Sequence, residues 1–226
     1  MENYKIITDE VALCNFIDWL PELEDGEGYY VTLLCRNKYT DKLLKDKVQL
    51  KRITSNKEFL FDKIKQMECE LGTYKYKGEP IPVESMCLYI TPNPRSYEKA
   101  GKNLAKKLID LCFDKYSGYN PQAEALTAIQ KACSRTVFMD FDFDNTTIEE
   151  MKSSIVEVIN ESAITFVQTH GGFHVLIEVS KIEDKYKKTY YNGITKLPNC
   201  DARGDGLLPI CGCFQGGVTP LLIKAI

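Results

Sequence analysis

No apolar run in this chain approaches the ~18 residues that a membrane-spanning helix requires, so no membrane partner is expected. No charged-then-apolar leader opens the sequence either, which points to an unexported protein. Positive charge is not in excess: 29 Lys and Arg against 32 Asp and Glu leave a formal charge of −3 and a pI near 5.6. That balance excludes a protein that coats nucleic acid by bulk attraction and leaves room only for a local basic groove. The cysteines lack a disulfide rhythm. They number nine, mostly scattered through apolar stretches, with a late group at Cys200, Cys211 and Cys213, a usage that favours a reducing, cytoplasmic setting. Histidine is scarcer still, with only His170 and His174, and internal repeats and low-complexity tracts are missing.

What is present is a chain of 226 residues, 44% hydrophobic, long enough to bury a substantial core. Its patterning alternates helix-like and strand-like segments and predicts an α/β (α+β) protein. Helices are expected over about 8–20, from a cap at Ser55 to about Leu71, from Arg95 to about Tyr116, over about 122–134 and over about 147–160, with a polar helical stretch near 181–191. Strands are expected at 28–34, 86–91 and from Val137, then a hairpin over 163–179 and short strands to the end. The break at Gly118 to Pro121 divides the expectation into an N-terminal α/β half, 1–118, and a second half, 119–226.

The strongest local signal is Val137-Phe138-Met139-Asp140-Phe141-Asp142-Phe143. Side chains alternate along a strand, so Val137, Met139, Phe141 and Phe143 share one face while Phe138, Asp140, Asp142 and Asp144 share the other. Like charges stacked beside an apolar strand repel unless a cation or water lies between them. Grouped hard oxygens suit Mg²⁺ or Mn²⁺, which in turn bridge phosphate oxygens. Asp142-Phe143-Asp144-Asn145-Thr146 also fits the Asp-x-Asp-x-Thr signature of haloacid-dehalogenase phosphatases, with Asp142 as nucleophile. Against that reading, the rest of the chain offers no convincing later pair of acids.

Both histidines lie in Gln168-Thr169-His170-Gly171-Gly172-Phe173-His174, with apolar strands on either side. A Gly-Gly pair suits a two-residue turn with positive φ at both positions, which predicts Thr169 directly across from His174. Because this is a turn and not a helix, the four-residue spacing does not make a helical zinc pair. The late cysteines with His170 offer only a weak zinc alternative, since Cys-x-Cys is a poor chelate pair.

Taken together, Asp140-Phe141-Asp142, the Gly-Gly-Phe-His hairpin about thirty residues on, Cys200-Asp201 and the segment from Leu207 to Gly217 resemble the archaeo-eukaryotic primase superfamily of DNA primases and primase-polymerases. The resemblance covers about residues 136–220; its hairpin carries Gln168, Thr169 and His170 where the family usually has Ser and Arg, and Gln215 where relatives often have His. It implies a catalytic core in which the N-terminal half and an RRM-like C-terminal half share one cleft. It further implies metal binding by Asp140, Asp142 and a third acid, Asp201 with Asp205 as the alternative. His174 would meet the nucleotide phosphates, with Thr169, His170 and Gln215 beside it. The implied activity is template-directed nucleotidyl transfer with Mg²⁺ or Mn²⁺, using NTP or dNTP on single-stranded DNA, in phage or plasmid replication and with a replicative helicase in trans. For the template, the segment from Cys35 to Arg52 carries seven Lys and Arg against two acids and is the expected backbone-tracking surface, with Lys99, Lys102 and Lys106 on one helical face as a second patch. A degenerate, non-catalytic primase-like module for replication initiation is the third reading.

Overall fold

The computed structural model describes residues 3–40, 46–113 and 120–224. The first part runs β1 (Asn3–Tyr4), α1 (Glu10–Trp19), β2 (Glu27–Arg36), β3 (Lys47–Ser55), α2 (Leu60–Lys65), β4 (Cys69–Glu70), β5 (Lys75–Tyr76), β6 (Glu79–Pro80), β7 (Met86–Ile90), β8 (Arg95–Ser96) and α3 (Tyr97–Phe113). The second part runs α4 (Pro121–Lys131), β9 (Phe138–Asp144), α5 (Ile148–Ile155), β10 (Ile164–Gln168), β11 (Gly172–Glu178), α6 (Tyr190–Ile194), β12 (Cys200–Gly204), β13 (Leu208–Pro209) and β14 (Leu221–Lys224). Among the described residues every strand pairing is antiparallel, so the protein is α+β.

Two five-stranded sheets carry the fold. The first has the order β13-β7-β2-β3, with β8 also on β2; the second has the order β12-β9-β11-β10-β14. The expected division at 118/119 lies outside the described residues, as does the expected end of the long helix near Tyr116. Beyond it the chain does not stay in one sheet, for β13 returns to pair with β7 while β14 pairs with β10. Within the second sheet the succession β9-α5-β10-β11-α6-β12 folds so that the fourth strand, the first, the third and the second lie side by side, a split β-α-β arrangement.

Local chemistry explains where elements begin. Asp9 caps α1 by accepting from Ala12 N, and Asn120 caps α4 ahead of a proline in the first turn, where a missing N–H has no consequence. Thr147 and Glu150 close a capping box on α5. Ser55 departs from expectation: it ends β3 and donates to Asn56 O, because pairing with β2 carries the chain past it, and the helix begins only at Leu60. The polar stretch near 181–191 forms turns, with α6 confined to five residues. Arg95 likewise starts a strand on β2, and the long helix starts at Tyr97.

The second sheet lies between two cores. Phe141, Phe143, Phe166, Val175 and Ile177 face α5 and bury Met151 and Ile155. From its other face Phe138, Val167 and Leu176 join the core beneath the first sheet, where Phe138 stacks on Trp19 with ring centres 4.5 Å apart, a contact worth about 1 kcal/mol beyond its area. Val137 packs into this same core, contrary to the alternation expected of it, because the strand begins only at Phe138. The polar members of that inward face, Asp140, Asp142 and His174, therefore lie where the two sheets meet.

Candidate functional site

Strand register aligns the site. His174 is the Cα partner of Asp142, and Asp142 of Asp201, so three adjacent strands contribute one polar row; Asp140 lies one row further along β9, between Leu176 and Gly204. The hairpin that delivers His174 differs from expectation. Thr169 N donates to Gly172 O and Gln168 pairs with Phe173, so the turn residues are His170 and Gly171, and Val167 stands across from His174. Neither glycine has positive φ. Gly172 is required for another reason: it lies in β11 against β9, where a Cβ would fall 2.0 Å from Phe143 O.

Asp140, 1% exposed, holds His174 Nδ1 at 3.0 and 3.2 Å from its two oxygens, and His174 Nε2 lies 3.8 Å from Asp142 Oδ1. Burial works against a charged imidazole here, but attraction and hydrogen bonding from Asp140, with further attraction from Asp142, outweigh it and raise the His174 pKa. An acid behind one ring nitrogen fixes the ring and directs the other nitrogen outward.

The outward side is a cleft of about 470 Å³. It is lined by Asp142, Asp144 and His174 and by Arg36, Lys38 and Lys47 from β2, β3 and the turn between them. Arg36 donates to the buried Tyr89 hydroxyl at 3.1 Å, which fixes its guanidinium. Burial, and then the Arg36 charge, lower the Lys38 pKa, an effect that Asp144 and Asp142 partly offset. A lining that carries both signs of charge attracts a ligand with both anionic oxygens and cations.

The remaining candidate residues divide. Thr169 and Gln215 line the cleft, with Gln215 accepting from His170 N at 3.3 Å. The His170 ring packs edge-on to Tyr39 at 5.0 Å. Asp201 is largely exposed and meets Arg203 at 2.9 Å, while Arg203 also reaches Asp142 at 3.3 Å. Asp205 is engaged elsewhere: both its oxygens receive Arg95, at 2.6 Å each, and Oδ1 also accepts from Asn93. It is tied up as an ion-pair partner.

The basic run is not one surface. Arg36, Lys38 and Lys47 enter the cleft, Arg52 is bound to Ala123 O and Thr127 Oγ1 on α4, and Asp41, Lys42 and Lys45 lie outside the described residues. On α3, Lys99 donates to Cys133 O and Lys102 pairs with Glu98. Cys211 and Cys213 are buried in the first core, with burial pushing both thiols up, while Cys200 packs on the second, so they do not form one ligand group. Sequence reasoning passed over Arg203, although it shares the strand of Asp201, and read the stretch from Tyr89 to Arg95 only as compatible with the N-terminal half of the resemblance, because the partners of Tyr89, Asn93 and Arg95 are remote in the chain.

A divalent ion is the group this chemistry implies. Asp142 and Asp201 present hard oxygens from neighbouring strands around one guanidinium, itself a stand-in cation, and in that respect the pair fits Mg²⁺ or Mn²⁺. Asp140 is taken up by His174, and among the described residues no group of three or more His, Cys, Asp or Glu is gathered tightly enough to hold a metal. The fit thus rests on two carboxylates, with further ligands left for substrate oxygens and water, as Mg²⁺ commonly has. Compared with family models, with curated proteins and with solved structures, the chain matches none.

Proposed function

We propose that this chain is a template-directed nucleotidyltransferase, a DNA primase or primase-polymerase of the archaeo-eukaryotic primase kind, working in the cytoplasm on phage or plasmid replication. One observation carries the reading: Asp142 and His174, aligned with Asp201 across three strands, line a cleft that Arg36, Lys38 and Lys47 also line. The split β-α-β order of the second sheet supports an RRM-like catalytic half, and the entry of β2 and β3 residues supports a cleft shared by both halves.

In this reading Asp142 and Asp201 hold Mg²⁺ or Mn²⁺, which when bound lowers the barrier to in-line attack on the α-phosphorus. His174, whose pKa the neighbouring Asp140 and Asp142 raise, donates in its protonated form to a phosphate oxygen and does not act as base. Arg36, Lys38 and Lys47 neutralise the triphosphate, and Thr169 and Gln215 orient it. A single-stranded template reaches the cleft from outside, delivered by a helicase in trans.

The test is template-dependent extension with labelled NTP or dNTP and Mg²⁺ or Mn²⁺, comparing the wild type with Asp140→Ala, Asp142→Asn and His174→Ala. Loss in all three is expected. No extension with any template, metal or nucleotide sinks the reading. Phosphatase turnover that survives Asp140→Ala supports the dehalogenase alternative, in which Asp142 becomes phosphorylated. Template binding without turnover supports the non-catalytic module.

A further inference from the structure

Asp142 and Asp201 are directly opposed on antiparallel neighbours, an arrangement in which like charges repel. A β-bulge relieves it. Register shifts between Ala202 and Gly204, leaving Arg203 as the extra, unpaired residue, with Gly204 at φ 64° closing the irregularity. Bulges re-aim side chains, and this one turns the Arg203 guanidinium onto the very oxygen pair that the proposed function assigns to metal, 2.9 Å from Asp201 Oδ2 and 3.3 Å from Asp142 Oδ2. A divalent ion and a guanidinium cannot both occupy that position.

Resting on that function, we propose that Arg203 is a placeholder cation, holding the Asp142–Asp201 pair together in the free protein and giving way when a divalent ion binds. Three observations support it. Arg203 is half exposed, so it is free to swing out. It lines the cleft, so its displaced charge stays where phosphate would enter. Among the described residues its guanidinium meets only these two carboxylates, in contrast to Arg36, which the Tyr89 hydroxyl holds. The consequence is that the protein is tuned against filling its metal position before substrate arrives, since the ion must first displace a resident charge.

The experiment is Mn²⁺ binding to the intact chain without nucleotide, followed by titration calorimetry and by the electron paramagnetic resonance signal of free Mn²⁺. Arg203→Gln is expected to bind Mn²⁺ about fivefold more tightly than the wild type, and Arg203→Lys to fall between them. Arg203→Gln that binds no more tightly, or more weakly, overturns the placeholder. Asp142→Asn separates this from the underlying reading: Mn²⁺ binding that Asp142→Asn abolishes but Arg203→Gln leaves unchanged sinks only the placeholder, whereas binding indifferent to Asp142→Asn sinks the metal site and the placeholder with it.

Discussion

Two aspartate–arginine pairs sit a few residues apart in this protein and do opposite things. Asp205 with Arg95 is closed: Arg95 is 1% exposed, the pairing is bidentate at 2.6 Å, and Asn93 completes it while also binding Val137 N, Phe138 N and Phe138 O. It fastens the start of β9 to the turn after β12. Asp201 with Arg203 is open and single-pronged, and it shares with Asp142 an arginine that lines the cleft. A buried, bidentate ion pair holds a fold together, whereas an exposed, single-pronged one is free to exchange partners.

The sharpest way to break the comparison is Arg95→Ala. It leaves Asp205 beside a buried void with its main partner gone, which should cost about 4 kcal/mol; denaturant unfolding measures it. Loss as small as at an exposed pair would erase the distinction. Next comes Asp142→Asn, expected to lower the proposed extension activity at least about a hundredfold. Because Asp142 faces Asp201 but also meets Arg203 and His174, its loss should leave the melting temperature nearly unchanged. A melting temperature that falls with activity would make Asp142 structural. Gly172→Ala tests the frame beneath both: its Cβ meets Phe143 O at 2.0 Å, so β9 and β11 must part locally. About 2 kcal/mol of stability should be lost, and the His174–Asp142 alignment with it, visible as broadened His174 imidazole resonances.

What the sequence disclosed follows from how far each signal reaches. Strand alternation is local, so the separation of Phe141 and Phe143 from Asp140 and Asp142 was legible in seven residues. Caps are local too, and Thr147 with Glu150 announced α5. The hairpin misled because Gly-Gly carries two meanings, turn freedom and close approach, and only the position of β9 decides that Gly172 serves the second. Asp205 was indistinguishable from a metal ligand because Arg95 lies 110 residues earlier. The basic run hid β3 because Val48 and Leu50 are only half-buried and the lysines flanking them, Lys47 and Lys51, read as a charged surface.

A third pair lies between the two extremes and gives the finest test. Glu27 is 7% exposed, while Arg135 is about one-third exposed and pairs with it at 3.2 Å. Burial pushes the Glu27 carboxyl up, but hydrogen bonds from Glu24 N, from Ser134 and from Arg135, with the charge of Arg135, overcome that and hold it below the usual range. A carboxyl lowered on folding contributes stability that is present above its unfolded pKa and is lost as pH falls through the folded one. Wild-type stability should therefore decline on acidification below the ordinary glutamate range, and Glu27→Gln should remove Glu27's share of that decline. At neutral pH the substitution should cost about 1 kcal/mol, the smallest of these effects, since glutamine can still accept from Glu24 N and Arg135 keeps its contact with water. Unfolding measured in parallel at neutral and acidic pH reads the difference directly. If the two proteins lose stability equally on acidification, Glu27 belongs with the open pair and contributes no net charge stabilisation to the fold.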